Sequence, residues 1–135
     1  RLLKFFMSHK SKGSNAERDL IHKFNENGWV AIRSAGSGSQ QFPAPDILAG
    51  NNLRRFAIEC KATKDTKKYL TKKEVDELIY FANTFGAEAW IGVKFDHMSW
   101  FFIAIHDLDI TNKSYAIDIP TAKTKGLSFE QLIRV

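Results

Sequence analysis

The chain has 135 residues, 44% of them hydrophobic, enough for one domain with its own core and too few for two of ordinary size. Its single cysteine, Cys60, excludes an internal disulfide and fits a reducing cytoplasm. A formal net charge of +5 and an isoelectric point near 9.4 suit a polyanionic partner, and no stretch is apolar for long enough to span a bilayer.

Arg1 to Phe6, ahead of Met7, is too short for a signal h-region. Residues 1–13 are expected to form a flexible basic arm in which Lys10 and Lys12 can lie along phosphates, and 14–135 a single domain. Ser14 to Asn27 reads as an amphipathic helix with Ala16, Leu20, Ile21 and Phe24 on one stripe and Gly28 as its stop. Ser14 and Glu17 have capping-box spacing, which by itself gives Glu17 a structural task. Trp29 to Arg33 reads as a short strand. Ser34 to Gln41 is a Gly/Ser loop, either plain and flexible or shaped for close backbone approach to a phosphate polymer.

Asp46 then opens a short apolar run, Gly50-Asn51-Asn52 supplies turn residues, and Leu53 to Lys61 reads as a second strand. With Asn51-Asn52 as a two-residue turn, Asp46 opposes Ala57 and shares a face with Glu59 and Lys61. Glu59 is then one diagonal step from Asp46, roughly 7–8 Å away, close enough for both carboxylates to reach one divalent ion. Taken singly, Asp46 is a turn residue and Glu59 with Lys61 a surface ion pair. Phe56, Ala57, Ile58 and Cys60, however, make the strand apolar on both faces, and buried charges persist when paired or bound to metal.

Ala62 to Lys68 reads as a solvated, lysine-rich loop whose Lys67 can meet a DNA backbone. A second helix opens with a capping box, Thr71 with Glu74, and a staple, Leu70 with Val75, and stops at Gly86. Its stripe of Val75, Leu78, Ile79, Ala82 and Phe85, widened by Tyr80 and Phe81, is broad enough for more than one neighbour. Ala87 to Phe95 and Trp100 to Ile105 are strands about a turn at Asp96 to Ser99. The tail from Asp107 to Pro120 reads as irregular with one short strand near Tyr115 to Ile119, and Ser128 with Gln131 caps a brief final helix. His9, His22, His97 and His106 show no zinc-ligand spacing.

Pro45-Asp46, twelve residues, then Glu59-Cys60-Lys61 resembles the PD-(D/E)xK signature of restriction-endonuclease-like nucleases. Lys12-Gly13, Glu17-Arg18-Asp19-Leu20, Arg33 with Gly36-Ser37-Gly38-Ser39, Pro45-Asp46-Ile47, Ile58 to Lys61 and Phe81-Ala82-x-x-Phe85-Gly86 together resemble the archaeal Holliday junction resolvases, cellular or viral. That resemblance implies an α/β fold, a mixed and roughly five-stranded sheet flanked by helices. It also implies a homodimeric, magnesium-dependent endonuclease, with manganese as substitute, that makes paired symmetric nicks in four-way DNA junctions without an organic cofactor. It makes Glu17, Asp46 and Glu59 metal ligands, Ser37, with Ser39 and Ser34 as fallbacks, an active-site serine that positions the phosphate or aids the metal-bound water, and Lys61 a catalytic cation. Lys10, Lys12, Arg18, Arg33, Ser39 and Lys67 become DNA contacts, and Phe81 and Phe85 a subunit interface. A nuclease for duplex or flap DNA and a non-catalytic DNA-binding dimer are the competing expectations.

Overall fold

The computed structural model describes residues 15–34 and 41–134. The basic arm with Lys10 and Lys12, the Ser14 half of the first capping box, and Ser37 and Ser39 of the Gly/Ser loop lie outside them. The first helix, α1, covers 15–26 of the described chain, and Gly28 follows at φ +83°, a conformation that ends a helix and disfavours a side chain. Strands β1 (Val30–Arg33), β2 (Ile47–Gly50) and β3 (Arg55–Thr63) form an antiparallel meander. Next come β4 (Lys67–Thr71), α2 (Lys72–Phe85), β5 (Glu88–Phe95) and β6 (Phe101–Ala104). A 3-10 turn, β7 (Asp109–Ile110), β8 (Ser114–Asp118), α3 (Ile119–Lys125) and α4 (Phe129–Arg134) complete the chain.

The main sheet has the order β1-β2-β3-β5-β6, with β3 and β5 parallel and every other pair antiparallel. This is the expected mixed five-stranded α/β sheet. The parallel pair needs a crossover, supplied by β4 and α2. Alternate residues of β3 enter different cores: Phe56, Ile58 and Cys60 pack with Leu20 and Phe24 of α1 and Phe129 and Leu132 of α4. Ala57 packs on the other face with Val75, Leu78 and Ala82 of α2. Two-sided burial of this strand, expected from its apolar run, is present.

The α2 boundaries match the sequence signals. Thr71 and Glu74 form a complete capping box, and Gly86 caps the other end at φ +90°. Ser128 and Gln131 also exchange their expected cap bonds, 2.9 and 3.1 Å.

Three expectations need correction. Leu53 and Arg54 belong to the turn: β2 pairs with β3 as Ile47↔Ile58 through Gly50↔Arg55, leaving four turn residues. The Asn51 side chain accounts for this longer turn, its Oδ1 accepting from the amides of Leu53 and Arg54 at 2.9 and 2.7 Å. Lys67 and Lys68 lie in β4, with β3 extended to Thr63, so the lysine-rich stretch is mostly strand. The tail is more ordered than expected, because β8 joins β4 and β7 in a second, three-stranded sheet of order β4-β8-β7. Asp118 then caps α3 through the Thr121 amide at 2.9 Å, with a proline in its first turn.

Candidate active site

Lengthening the β2–β3 turn by two residues changes the partner of Asp46 but preserves its face, because side chains alternate with period two. One step beyond Ile47↔Ile58, Asp46 stands opposite Glu59 itself, closer than the diagonal placement expected from a two-residue turn. Its Oδ2 accepts the Cys60 amide at 2.8 Å, which fixes the carboxylate across the head of the strand pair. Ser34 N–H donates to the Asp46 carbonyl at 2.8 Å. That bond ties Ser34, the first residue of the Gly/Ser loop, to Asp46.

Glu59 and Lys61 share the α2 face of β3. Lys61 Nζ lies 3.6 Å from Glu59 Oε2 and makes a closer contact with Glu74 Oε2, at the start of α2. Glu59 is a crowded carboxyl: burial, and then the neighbouring charge of Asp46, push it up to about 8 against the partial relief of Lys61. Burial opposes the Lys61 charge, but the hydrogen bond to Glu74 and the surrounding carboxylates outweigh it and raise the ammonium. Burial also presses on Glu74, yet the hydrogen bonds from Lys61 and Thr71 hold its carboxyl below the usual range.

Glu17 arrives from the opposite side, on α1. Its Oε1 accepts from Arg33 Nε at 3.0 Å, so two residues assigned to different tasks, metal and DNA, meet in one ion pair. Burial, and then Asp46, raise the Glu17 carboxyl while Arg33 lowers it. Asp46 thus acts electrically on both sides, on Glu17 and on Glu59. As the side chains stand, no three His, Cys, Asp or Glu groups among the described residues converge on one ion position.

The remaining assignments are dispersed. Arg18 is exposed and donates only weakly to Asn15 Oδ1, at 3.4 Å. Lys67 is exposed on β4, with Nζ 5.4 Å from the centre of the Tyr69 ring. Phe81 and Phe85 stack at 5.4 Å, and Phe85 is 50% exposed. Cys60 is a buried thiol raised well above its ordinary value by burial, which suits packing rather than chemistry. Glu74 is the site residue missed from the sequence, where its capping-box spacing already accounted for it.

Oxygen donors facing each other across a strand pair, with an ammonium alongside, form a hard, electronegative cleft that fits magnesium or manganese and not a thiophilic metal. Residues 8–135 match the family model described as archaeal Holliday junction resolvase (hjc). The chain is 45% identical over 109 residues to the crossover junction endodeoxyribonuclease Hjc of Archaeoglobus fulgidus, covering 81% of this chain and 80% of the relative. It is 35% identical over 128 residues to the protein of the same name in Methanocaldococcus jannaschii, covering 94% and 91%. The solved structure of the A. fulgidus Hjc, a Holliday junction resolvase from an archaeal hyperthermophile, superposes with a TM-score of 0.82 at 39% identity, over 89% of this chain and 98% of that one. With sequence and fold in agreement, the chain belongs to the archaeal Holliday junction resolvase family, whose members are enzymes.

Proposed function

We propose that this protein is a magnesium-dependent endodeoxyribonuclease that resolves four-way DNA junctions as a homodimer, through paired symmetric nicks. The observation that carries the reading is the cluster of Asp46, Glu59 and Lys61, in which partial burial, and then repulsion by the Asp46 charge, raise Glu59 to about 8. A divalent cation relieves that repulsion and satisfies both oxygens.

Asp46 and Glu59 would hold the ion, and Glu17, added to the set by family resemblance, stands across from them on Arg33. When bound, the ion polarises the phosphoryl group and lowers the pKa of its water. Lys61 places a fixed positive charge against the charge that develops on phosphate oxygens. Arg18, Arg33 and Lys67 supply backbone affinity, with Lys10, Lys12 and Ser39 assigned beside them, and Ser37 assigned to the active site, from the family resemblance of the sequence.

Dimerisation gives junction selectivity a geometric basis, since two-fold related sites can meet two symmetry-related strands. Support comes from an apolar groove lined by Val30, Ile32, Leu48, Ala49 and Phe85. Val30 and Ile32, on the edge strand β1, are 70% and 65% exposed.

The test is incubation with a labelled four-way junction, its component duplex and a flap, with and without magnesium. Asp46→Asn is run in parallel and scored for both cutting and junction binding. The expected result is paired nicks on the junction alone, dependent on magnesium, and reduced to background in Asp46→Asn with binding retained. Equal cutting of duplex or flap would leave a nuclease and overturn the junction assignment; no cutting with any divalent ion would overturn catalysis.

A further inference from the structure

The Lys61 side chain has a flexible four-carbon stem, so a useful position for its ammonium has to be imposed by neighbours. Glu59 is one neighbour, at 3.6 Å, but a Lys61 drawn fully onto Glu59 would compete with a cation for that carboxylate. Glu74 provides the alternative anchor. Its Oε2 contacts Lys61 Nζ, and its Oε1 accepts from the Thr71 amide at 2.9 Å and lies 3.2 Å from Thr71 Oγ1. The Glu74 amide in turn donates to Thr71 Oγ1 at 3.0 Å. One carboxylate therefore closes the capping box with one oxygen and holds the lysine with the other.

We infer that Glu74 is the positioning residue of Lys61: it anchors the ammonium to the first turn of α2, leaves Glu59 the longer contact at 3.6 Å, and so directs the remaining donors to the scissile phosphate. This rests on the catalytic role proposed above for Lys61. The capping box alone does not require a carboxylate, because glutamine serves at that position equally well. A lysine anchor does require one, since a neutral amide holds an ammonium far more weakly. The two tasks of Glu74 are thereby separable by substitution.

Glu74→Gln keeps the cap and removes the ionic anchor. Single-turnover cleavage of a four-way junction at saturating protein, junction Kd without metal, and Tm are measured for wild type, Glu74→Gln, Lys61→Ala and Asp76→Gly. Asp76 is exposed on α2, and glycine there weakens the helix without touching Lys61. Glu74→Gln is expected to cleave about 10- to 100-fold more slowly, as for loss of a supporting partner, with Kd within about twofold and Tm nearly unchanged. Asp76→Gly is expected to lower Tm and leave the rate intact. A wild-type rate in Glu74→Gln with Lys61→Ala inactive would overturn the anchor and leave the role of Lys61 standing. Wild-type cleavage by Lys61→Ala would overturn that role and the anchor with it. Equal slowing in Asp76→Gly would assign the effect to helix stability and likewise overturn the anchor.

Discussion

Two ionic clusters lie along β3, and they are built on opposite plans. At its start, Arg54 makes a two-pronged pair with Glu88 at the head of β5, Nε to Oε2 at 2.8 Å and Nη2 to Oε1 at 2.7 Å. Arg54 Nη1 also donates to the Leu132 carbonyl at 3.1 Å, and its guanidinium sits 4.7 Å from the Phe56 ring centre. The Arg54 hydrogen bond lowers the Glu88 carboxyl, against the smaller effect of burial. Farther along β3, Asp46, Glu59 and Glu74 surround the single ammonium of Lys61, and Glu59 is raised instead. One cluster closes on itself and ties β3, β5 and α4 together. In the other, burial and then the Asp46 charge disfavour the ionised Glu59, an electrical setting that the proposed cation would relieve.

Removing one carboxylate from each cluster gives the widest separation of outcomes. Glu59→Gln should abolish junction cleavage while making the metal-free protein more stable, because it removes a carboxyl whose charge is disfavoured by burial and then by Asp46. Glu88→Gln should retain cleavage and lose roughly 1–3 kcal/mol of stability, since Arg54 loses its charged partner. Cleavage assays paired with denaturant unfolding check both. Loss of stability in Glu59→Gln comparable to that in Glu88→Gln would erase the distinction between the clusters.

The same contrast has a pH signature. Glu59 titrates near 8 when folded against about 4.5 when free, so between those values the native state holds a proton that the unfolded state has released. Its contribution therefore makes metal-free stability fall as pH rises from about 4.5 to 8 and level off above that. Glu88, being lowered, contributes the opposite slope: its stabilisation is present above its unfolded value and is lost as pH falls through the folded one. Subtracting the stability curve of Glu59→Gln from that of wild type isolates the first slope. A flat difference across the window would contradict the burial and repulsion assigned to Glu59.

A smaller effect is expected at the proposed subunit surface. Phe81→Ala should raise the monomer–dimer midpoint concentration by about tenfold or more, the effect of truncating a central aromatic. Sedimentation across a dilution series reads it. A mass unchanged at every concentration would move the interface elsewhere.

Much of this organisation was legible in the sequence because its signals are local. The apolar run of β3, the Thr71–Glu74 box and Gly86 each announce themselves within a few residues. The shared face of Asp46 and Glu59 survived a wrong turn length only because the error was two residues and not one. What was not legible depends on distant partners. The Lys-rich β4 gains strand geometry from β8, whose residues lie more than forty positions away. Arg54 and Glu88 are separated by 34 residues, and nothing near either predicts the other. Glu74 was hidden for a different reason: its local role in the cap was sufficient, so its second oxygen went unread.

Divalent-ion binding to the isolated protein tests the central claim most directly, because it requires neither DNA nor turnover. Titrating magnesium or manganese while following Tm should stabilise wild type progressively, as linkage demands of an ion that binds the native state. The shift should be lost in Asp46→Asn and in Glu59→Gln and retained in Glu88→Gln. An equal shift in all four proteins would place the ion elsewhere and contradict the assignment of the Asp46–Glu59 cluster as the metal site.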